Sequence, residues 1–426
     1  MLPVAEIDEL YARPDFTSDE KALYFTLNDS ELDRLNHYSN TKTRVYFILQ
    51  LGFFKAKQQF FQFDIEEVPT DVEYILANFF NNTKASLSGR LSRNYINQQK
   101  HDILELFNYQ DWSSKHQPQT QAHTVELLKL HPNGHNAFRE LLNYFEMQQI
   151  VIPSYRSLQT LFSTAFSIEE QRLNVLISTI PKEIEKQLSA LIKRVSGISQ
   201  LTIIRADQKD FNYTAVKDEV EKAIEIAELY EFAKSFIPTL ELSKNAIRYY
   251  ADVVTCYPGS RLRKLRSFQQ QLHTICFIYH RYQEIMDNLI ISFMYHVNAI
   301  IDAGKIYAEE ALLKHKSSIT VDLPKLVMFL KWFPGRDKKL NYTALNKVAY
   351  GMLPEAQFPI LAEFLNGSSF NKKAAEWEHY FKSSRLIALY LRPILSTVPF
   401  SFFKEDSKLM AMINLLNPSS TFFYSI

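Results

Sequence analysis

Clusters of lysine and arginine, rather than catalytic motifs, are the chemically informative feature of this sequence. The densest cluster lies between Tyr257 and Gln283, and no acid occurs between Asp252 and Glu284. Its cations are Arg261, Arg263, Lys264, Arg266 and Arg281. Cations without neighbouring acids are suited to binding phosphate groups. Apolar residues also recur every three or four positions here, so a core helix with a solvated polar side fits the pattern equally well.

Two further groups of cations lie in the first hundred residues. The stretch from Tyr74 to His101 again contains no acid, and its cations include Lys84, Arg90 and Arg93. Lys42 and Arg44 lie at the start of a helix predicted from Asn40 to Lys57. Cations at a helix start oppose the helix dipole, which is tolerable where an anion binds. Both groups are therefore candidate phosphate contacts, and ordinary solubilising side chains are an equally suitable interpretation.

The residues best suited to reading a DNA sequence follow Pro153. Ser154 is predicted to cap a helix that reaches Phe166, and a helix from about Asn136 to Met147 precedes it. Helix, short turn and capped helix is the outline of a helix-turn-helix. The side chains that lie away from the apolar positions of the second helix are Tyr155, Arg156, Gln159 and Thr160. Arginine and glutamine read guanine and adenine edges in a major groove, so we assign base reading here and phosphate binding to residues 261–266.

No catalytic or metal-binding motif accompanies these cations. The phosphate-binding, dinucleotide-binding, nucleophile-elbow and zinc-protease motifs are all missing from the sequence. His131 and His135 are separated by Pro132 and Gly134 and do not share a helical face. The only two cysteines, Cys256 and Cys276, form no metal-spaced pair. We therefore expect no cofactor, no metal and no enzymatic activity in this chain on its own.

Composition indicates packed helices. The chain has 426 residues, of which 46% are hydrophobic and only nine are glycine. A net charge of +1 means that any nucleic-acid binding must come from local patches. The N-terminus lacks the basic and apolar regions of a signal peptide, and charged or polar residues interrupt the apolar stretch 285–301. We expect a cytoplasmic protein without a membrane partner.

These patterns predict an all-α fold that contains a helix-turn-helix-like pair of helices and a long helical region. The predicted boundaries are 1–112 for a first helical DNA-binding module, 113–180 for a second, helix-turn-helix-like module, 181–316 for a long-helix region with the basic stretch, and 317–426 for a helical scaffold. Helix starts are predicted where Thr17, Asn28 and Thr70 each precede a glutamate by three residues. Residues Leu201–Ala206 are predicted as the one short extended stretch.

Five stretches, in the same order and spacing, resemble the replicative transposases of bacterial Tn3-type transposons, including the N-terminal DUF4158-like domain. They are Arg44–Phe53, Gln98–Tyr109, Gln149–Phe166, Asn245–Leu265 with Tyr279–Phe293, and Leu391–Pro393 with Trp377 and Tyr380 upstream. The resemblance implies an N-terminal region that recognises the terminal inverted repeats of a transposon as double-stranded DNA. It also implies tandem small helix-turn-helix-like DNA-binding bundles followed by a long-helix scaffold and dimerisation region, so a homodimer is a candidate assembly.

The same resemblance implies a catalytic domain that lies beyond these elements. In the family this domain has an RNase H-like fold, with an Asp, Asp and Glu triad that binds magnesium. Because the chain ends at Ile426, before that domain could begin, we expect a truncated fragment that binds transposon ends and cannot cut or join DNA. The alternative is a helical protein–protein scaffold or dimerisation remnant that binds no DNA.

Overall fold

The computed structural model describes residues 3–81, 87–195, 198–336, 338–367 and 370–400. Helices make up 76% of the structure, so the predicted all-α fold is confirmed. Within the described ranges the only strands are β1 (Arg194–Val195) and β2 (Ile198–Ser199), which pair antiparallel. Lys84 of the second cation group and the C-terminal residues 401–426 lie outside the described residues.

The described part contains 20 α-helices. In chain order they are α1 (Val4–Tyr11), α2 (Ser18–Tyr24), α3 (Asp29–Asn36), α4 (Thr41–Lys57), α5 (Pro69–Phe79), α6 (Arg93–Phe107), α7 (Gln117–Leu130), α8 (Gly134–Met147), α9 (Tyr155–Ile177), α10 (Lys182–Ile192), α11 (Gln200–Arg205), α12 (Tyr213–Phe236), α13 (Lys244–Cys256), α14 (Gly259–Leu262), α15 (Ser267–Thr320), α16 (Leu323–Gly335), α17 (Tyr342–Met352), α18 (Gln357–Leu365), α19 (Lys372–Lys382) and α20 (Ser384–Thr397). Two short 3-10 helices, Ile65–Glu67 and Ile237–Leu240, lie among them.

The chain divides into two compact units. The first unit contains Met1–Ser189 and Ala233–Phe277, and the second contains Ala190–Phe232 and Ile278–Ile426. Of the candidate DNA-binding residues that the structure describes, all except Arg281 lie in the first unit. The predicted four-part domain division stays a prediction.

Helix α4 is the centre of the N-terminal core. Asn40 caps it, because its side chain accepts a hydrogen bond from the backbone N–H of Lys42, and the helix ends at Lys57, as predicted. Every residue from Val45 to Phe54 is buried, so this part of the helix is covered on all sides. At Gly52 the ring of Phe25 packs where a side chain would lie, only 2.4 Å from an added Cβ.

A second core joins α7, α8 and α9. Leu158, Leu161 and Phe162 of α9 are buried against residues such as Phe138 and Leu141 of α8. Ser154 caps α9 by accepting a hydrogen bond from the backbone N–H of Ser157, which confirms the predicted helix start. The apolar side of α9 therefore packs into this core, and its opposite side faces outward.

Three local predictions have mixed outcomes. Thr17 and Asn28 form capping boxes with the glutamates three residues later, as predicted. Thr70 does not cap a helix, because Pro69, with its fixed φ, already starts α5 one residue earlier. The prediction of an extended stretch at Leu201–Ala206 is wrong. These residues form most of α11, which buries Leu201 and Ile204.

Helix α15 is one continuous helix of 54 residues. It begins at Ser267, after the cations of residues 261–266, and ends at Thr320, four residues beyond the predicted long-helix region 181–316. One 18-residue window of α15 has a mean hydropathy of 1.2 and is 17% buried, so the helix passes a length and composition test for a membrane span. A mostly buried core helix of a soluble protein passes the same test. The expected absence of a membrane partner stays a prediction.

Candidate nucleic-acid interface

The outward side of α9 presents polar side chains without acids. Arg156, Gln159 and Thr160 are exposed, and the first acid of the helix is Glu169. Neither Arg156 nor Gln159 uses its side chain in a hydrogen bond or ion pair with any residue that the structure describes. Both side chains are therefore available to a ligand, and both have the donor groups that read base edges in a major groove.

Two of the predicted α9 residues are less available. Tyr155 is half-buried, with its ring centroid 6.1 Å from that of Tyr11 and 6.3 Å from that of Phe138. The hydroxyl of Thr160 donates a hydrogen bond to the carbonyl of Arg156 at 3.0 Å. Tyr155 thus joins the core of the α7–α9 bundle, and Thr160 keeps its methyl group and its lone pairs for an external contact.

The connection between α8 and α9 is longer than a helix-turn-helix turn. It runs from Gln148 to Ser154, whereas the motif uses three or four residues. Within it, Ile150 forms a parallel bridge with Gln110, and Val151 donates its N–H to the carbonyl of Gln110 at 2.9 Å. A backbone pairing therefore fixes the start of α9. The arrangement keeps the outline of a helix-turn-helix without its tight turn.

The basic segment 257–266 lies between α13 and α15. Arg261, Arg263, Lys264 and Arg266 are all exposed. They belong to the single-turn helix α14 and the loop that follows it, so they are not spread along the long helix as a continuous helix would place them. The guanidinium of Arg261 lies 3.9 Å from the ring centroid of Tyr257, which fixes its position while leaving its charge exposed.

The structure brings α9 and the basic segment together. Arg266 forms an ion pair with Glu170 of α9, and the amide of Gln269 also donates to Glu170, at 3.3 Å. Arg172 donates to both oxygens of Glu169, at 2.6 and 2.7 Å, and to the carbonyl of Leu240 at 2.8 Å. These contacts hold α9 against residues 240–270. The 14-residue spacing from Arg156 to Glu170 corresponds to roughly 21 Å along the helix, at 1.5 Å per residue.

The N-terminal cations have internal partners. The ammonium of Lys42 donates to the carbonyls of Ser88 and Arg90, and the guanidinium of Arg44 donates to Asn36 and lies 5.7 Å from the ring centroid of Phe80. Backbone and side-chain oxygens therefore stabilise these charges at the start of α4, and no bound anion is required. These two residues are less suited to DNA than their sequence position suggested.

Arg90 and Arg93 remain at the surface of this region. Arg90 forms an exposed ion pair with Asp64 at 3.2 Å, which offsets part of its charge. Arg93, in the first turn of α6, is exposed and pairs with no acid in the described ranges. Arg93 is therefore the better phosphate contact of the two.

Arg281, counted above among the phosphate-binding cations, has a structural role. It is 4% exposed and lies in the second unit, where it donates to the carbonyls of Ile204 and Ala206 at 2.9 and 2.8 Å. It also forms ion pairs with Asp207 and Glu284, at 3.3 and 3.1 Å. The sequence already indicated that Arg281 is buried, because position 281 falls on the same helix face as the buried Ile278 and Ile285.

Sequence reasoning missed a group of aromatic residues beside the basic segment. Phe166 of α9 and Tyr249, Tyr250 and Tyr257 near the end of α13 line one pocket with Phe268 and His273 of α15. The sequence feature that could have identified this group is the unusual density of aromatic residues next to the cations. Among the described residues, no group of three or more histidine, cysteine or acidic side chains is placed to hold a metal ion.

A comparison with protein-family models identifies a domain in the N-terminal region. Residues 1–165 match the family model described as a domain of unknown function (DUF4158). The matched region includes both N-terminal cores and ends in α9, after Tyr155, Arg156, Gln159 and Thr160. No curated protein matches the chain.

Proposed function

We propose that this chain binds double-stranded DNA as the N-terminal, end-recognising region of a Tn3-like transposase. The DUF4158 domain over residues 1–165 supports the proposal, because this domain is found in Tn3-family transposases. Its DNA would be the terminal inverted repeats of the element, bound during transposition in the cytoplasm. In this proposal the chain binds DNA, needs no cofactor for binding and performs no cleavage itself.

The exposed, acid-free half of α9 is the observation that carries the proposal. A major groove about 12 Å wide admits an α-helix, and side chains on the exposed side of that helix reach base edges. Arg156 and Gln159 are the side chains of α9 suited to such contacts, and neither is engaged with another described residue. We assign them to base reading.

The basic segment supplies the second half of the interface. Its four cations lie on the same unit as α9 and are connected to it through the Arg266–Glu170 ion pair. Cations that contact phosphates provide affinity that depends on salt and little on sequence. We assign Arg261, Arg263, Lys264 and Arg266 to phosphate contacts, with Arg93 as an additional one.

A binding titration tests this proposal. Fluorescence anisotropy would be measured for the terminal-repeat duplex and for a scrambled duplex, each at two salt concentrations. We expect tighter binding to the repeat, with affinity for both duplexes falling as salt rises. Equal and negligible binding to both duplexes would refute the DNA-binding proposal.

A matched pair of lysine variants tests the assigned phosphate contacts. Lys264→Gln should weaken binding to both duplexes alike and reduce the salt slope by about one, because one phosphate contact is lost. Lys186→Gln is the control, since Lys186 is 76% exposed in the same unit but already faces Glu183 at 3.6 Å. A change in sequence preference in Lys264→Gln would show that base reading and phosphate binding have been assigned to the wrong residues.

A helical scaffold that binds only protein is the second candidate, and exposed apolar side chains of the second unit favour it. Large apolar side chains are unusually exposed there, including Phe381 at 74%, Trp377 at 70% and Val321 at 69%. Exposed apolar groups of this kind are typical of protein-binding surfaces, including those of homodimers. The duplex titration separates the two candidate functions, because a scaffold of this class would bind neither the terminal-repeat duplex nor the scrambled duplex.

A further inference from the structure

A small pocket opens beside the basic segment of the first unit. Its volume is about 360 Å³, near the lower end of the roughly 300–1,000 Å³ range of ligand pockets. Helix α9, helix α13 and the start of α15 form its walls. Every lining residue belongs to the first unit, so the pocket is part of one compact body.

The walls present aromatic rings that a ligand can reach. Phe166 is 39% exposed and Tyr249 is 43% exposed, and Tyr257 and Phe268 complete the aromatic lining. Large aromatic side chains normally bury their faces, so two exposed rings at one pocket need a reason. Planar rings stack on such faces, which is how proteins hold unpaired bases.

Two polar atoms in the lining lack hydrogen-bond partners among the described residues. The hydroxyl of Tyr250 makes no hydrogen bond there, and its pKa lies well above the usual tyrosine value because burial disfavours the phenolate. His273 is held through Nδ1 by the carbonyl of Tyr250 at 3.2 Å, so Nδ1 carries the proton and Nε2 is an acceptor. The pocket thus offers one donor and one acceptor among aromatic walls.

Charged groups of both signs adjoin the pocket: Glu169 and Glu170 line it and are paired with Arg172 and Arg266, and two guanidinium groups lie against its rings. Arg261 lies 3.9 Å from the ring centroid of Tyr257, and Arg266 lies 5.2 Å from that of Phe268. Both rings line the pocket, so two guanidinium groups adjoin its aromatic lining. A hydrophobic protein side chain would gain nothing from these charges. A base joined to a phosphodiester backbone would use both the rings and the cations.

We propose that this pocket takes one unstacked nucleobase of the bound DNA, with Tyr249 and Phe166 stacking on the base and Arg261 and Arg266 holding the adjoining phosphates. The inference rests on the DNA binding proposed above and adds a site that captures an unpaired base. Tyr250 and His273 face the edge of the base with a donor and an acceptor. The stacking is tolerant of sequence, because every base has an aromatic face.

Two bulged duplexes test the pocket. One carries a single unpaired adenine nucleotide, and the other carries an abasic site at the same place, so that their phosphates are identical. Because stacking of one base on aromatic side chains is worth a factor of about 5 to 150 in affinity, we expect the adenine bulge to bind tighter by that factor. Tyr249→Ala should bring the affinity ratio of the two duplexes close to one without changing the affinity for the abasic duplex.

The control is Tyr95→Ala, which removes a tyrosine of similar exposure, 49%, on α6 of the same unit. It should leave the ratio unchanged. Equal affinities of the unmodified chain for both bulges, with salt-dependent binding of the fully paired duplex retained, would overturn the pocket inference alone. Absence of binding to any duplex would overturn the proposed function as well. Saturable binding of N-acetyltryptophanamide without preference between the bulges would assign the pocket to a protein side chain instead.

Discussion

Replacing Arg281 with methionine removes a buried guanidinium that holds the end of α11. The side chain donates to the carbonyls of Ile204 and Ala206 and pairs with Asp207 and Glu284. Methionine has a similar length and an apolar body, so it fills the volume without replacing any of these contacts. The change therefore isolates the charge and the hydrogen bonds of Arg281.

The expected loss in the free energy of unfolding depends on the carboxylates that remain after the substitution. Removing one partner of a buried ion pair costs about 3–5 kcal/mol, because the opposite charge stays buried. Here the fully buried carboxylate that pairs with Arg281 is Glu219, at 3.8 Å, and Glu219 keeps Lys222 at 2.8 Å and Asn288 at 3.0 Å. Because Glu219 stays paired, we expect the lower end of that range, about 3 kcal/mol in the free energy of unfolding.

Urea unfolding followed by circular dichroism measures this loss, and hydrogen exchange of the α11 amides locates it. Lys217→Met is the control, since Lys217 is 57% exposed and pairs with Glu221 at 3.5 Å on the surface of α12. That variant should change stability by less than about 1 kcal/mol. Unchanged stability in Arg281→Met together with weaker DNA binding would refute the structural role and return Arg281 to the phosphate contacts.

Two further predictions concern stability. Gly52→Ala should lower the free energy of unfolding by about 1–3 kcal/mol, because the new Cβ would overlap the buried ring of Phe25. Gly351→Ala on α17 meets no atom within 4 Å and should instead stabilise by up to about 1 kcal/mol. Equal effects of the two substitutions in urea unfolding would contradict the packing at Gly52. Burial lowers the pKa of three histidines below the usual 6.5, namely His123, His273 and His296. The unfolded chain therefore binds protons that the folded chain excludes, so stability should be fully present above pH 6.5 and fall as pH drops below it. Urea midpoints that stay constant or rise as pH falls from about 7.5 to about 5.5 would contradict this prediction.

Local signals predicted the helices well. Asn40 before α4 and Ser154 before α9 are capping residues followed by periodic apolar positions, and both helices begin where the sequence indicated. Such signals act within one turn of helix, so neighbouring residues are sufficient to predict them. Leu201–Ala206 was mistaken for an extended stretch because its run of apolar residues is too short for periodicity to separate helix from strand.

The candidate site was only partly predictable, because the availability of a cation depends on distant residues. Arg281 and Arg261 look alike in sequence, yet Arg281 is buried against a carbonyl 77 residues away and Arg261 lies exposed on Tyr257. Lys42 likewise has its carbonyl partners 46 and 48 residues away. No local pattern contains these contacts. The apolar stripe of α15 was the only signal that separated Arg281 from the exposed cations.

The aromatic pocket was beyond sequence reasoning for the same reason. Phe166, Tyr250 and Phe268 lie on three different helices, and the ion pair that connects α9 to the loop before α15 joins residues 96 positions apart. The cations of the basic segment were identified from composition alone. Their position beside α9 is known only from the fold.

In the proposed function α9 reads the sequence of bound DNA, and the specificity ratio of Arg156→Ala tests this reading directly. This ratio is the affinity for the terminal-repeat duplex divided by that for the scrambled duplex, at one salt concentration. One bidentate base contact is worth about 1–3 kcal/mol of discrimination, so the ratio should fall by a factor of about 5 to 150 with little loss on the scrambled duplex. An unchanged ratio, with both affinities lowered alike, would show that Arg156 contacts only phosphate and that α9 does not read the sequence through this residue.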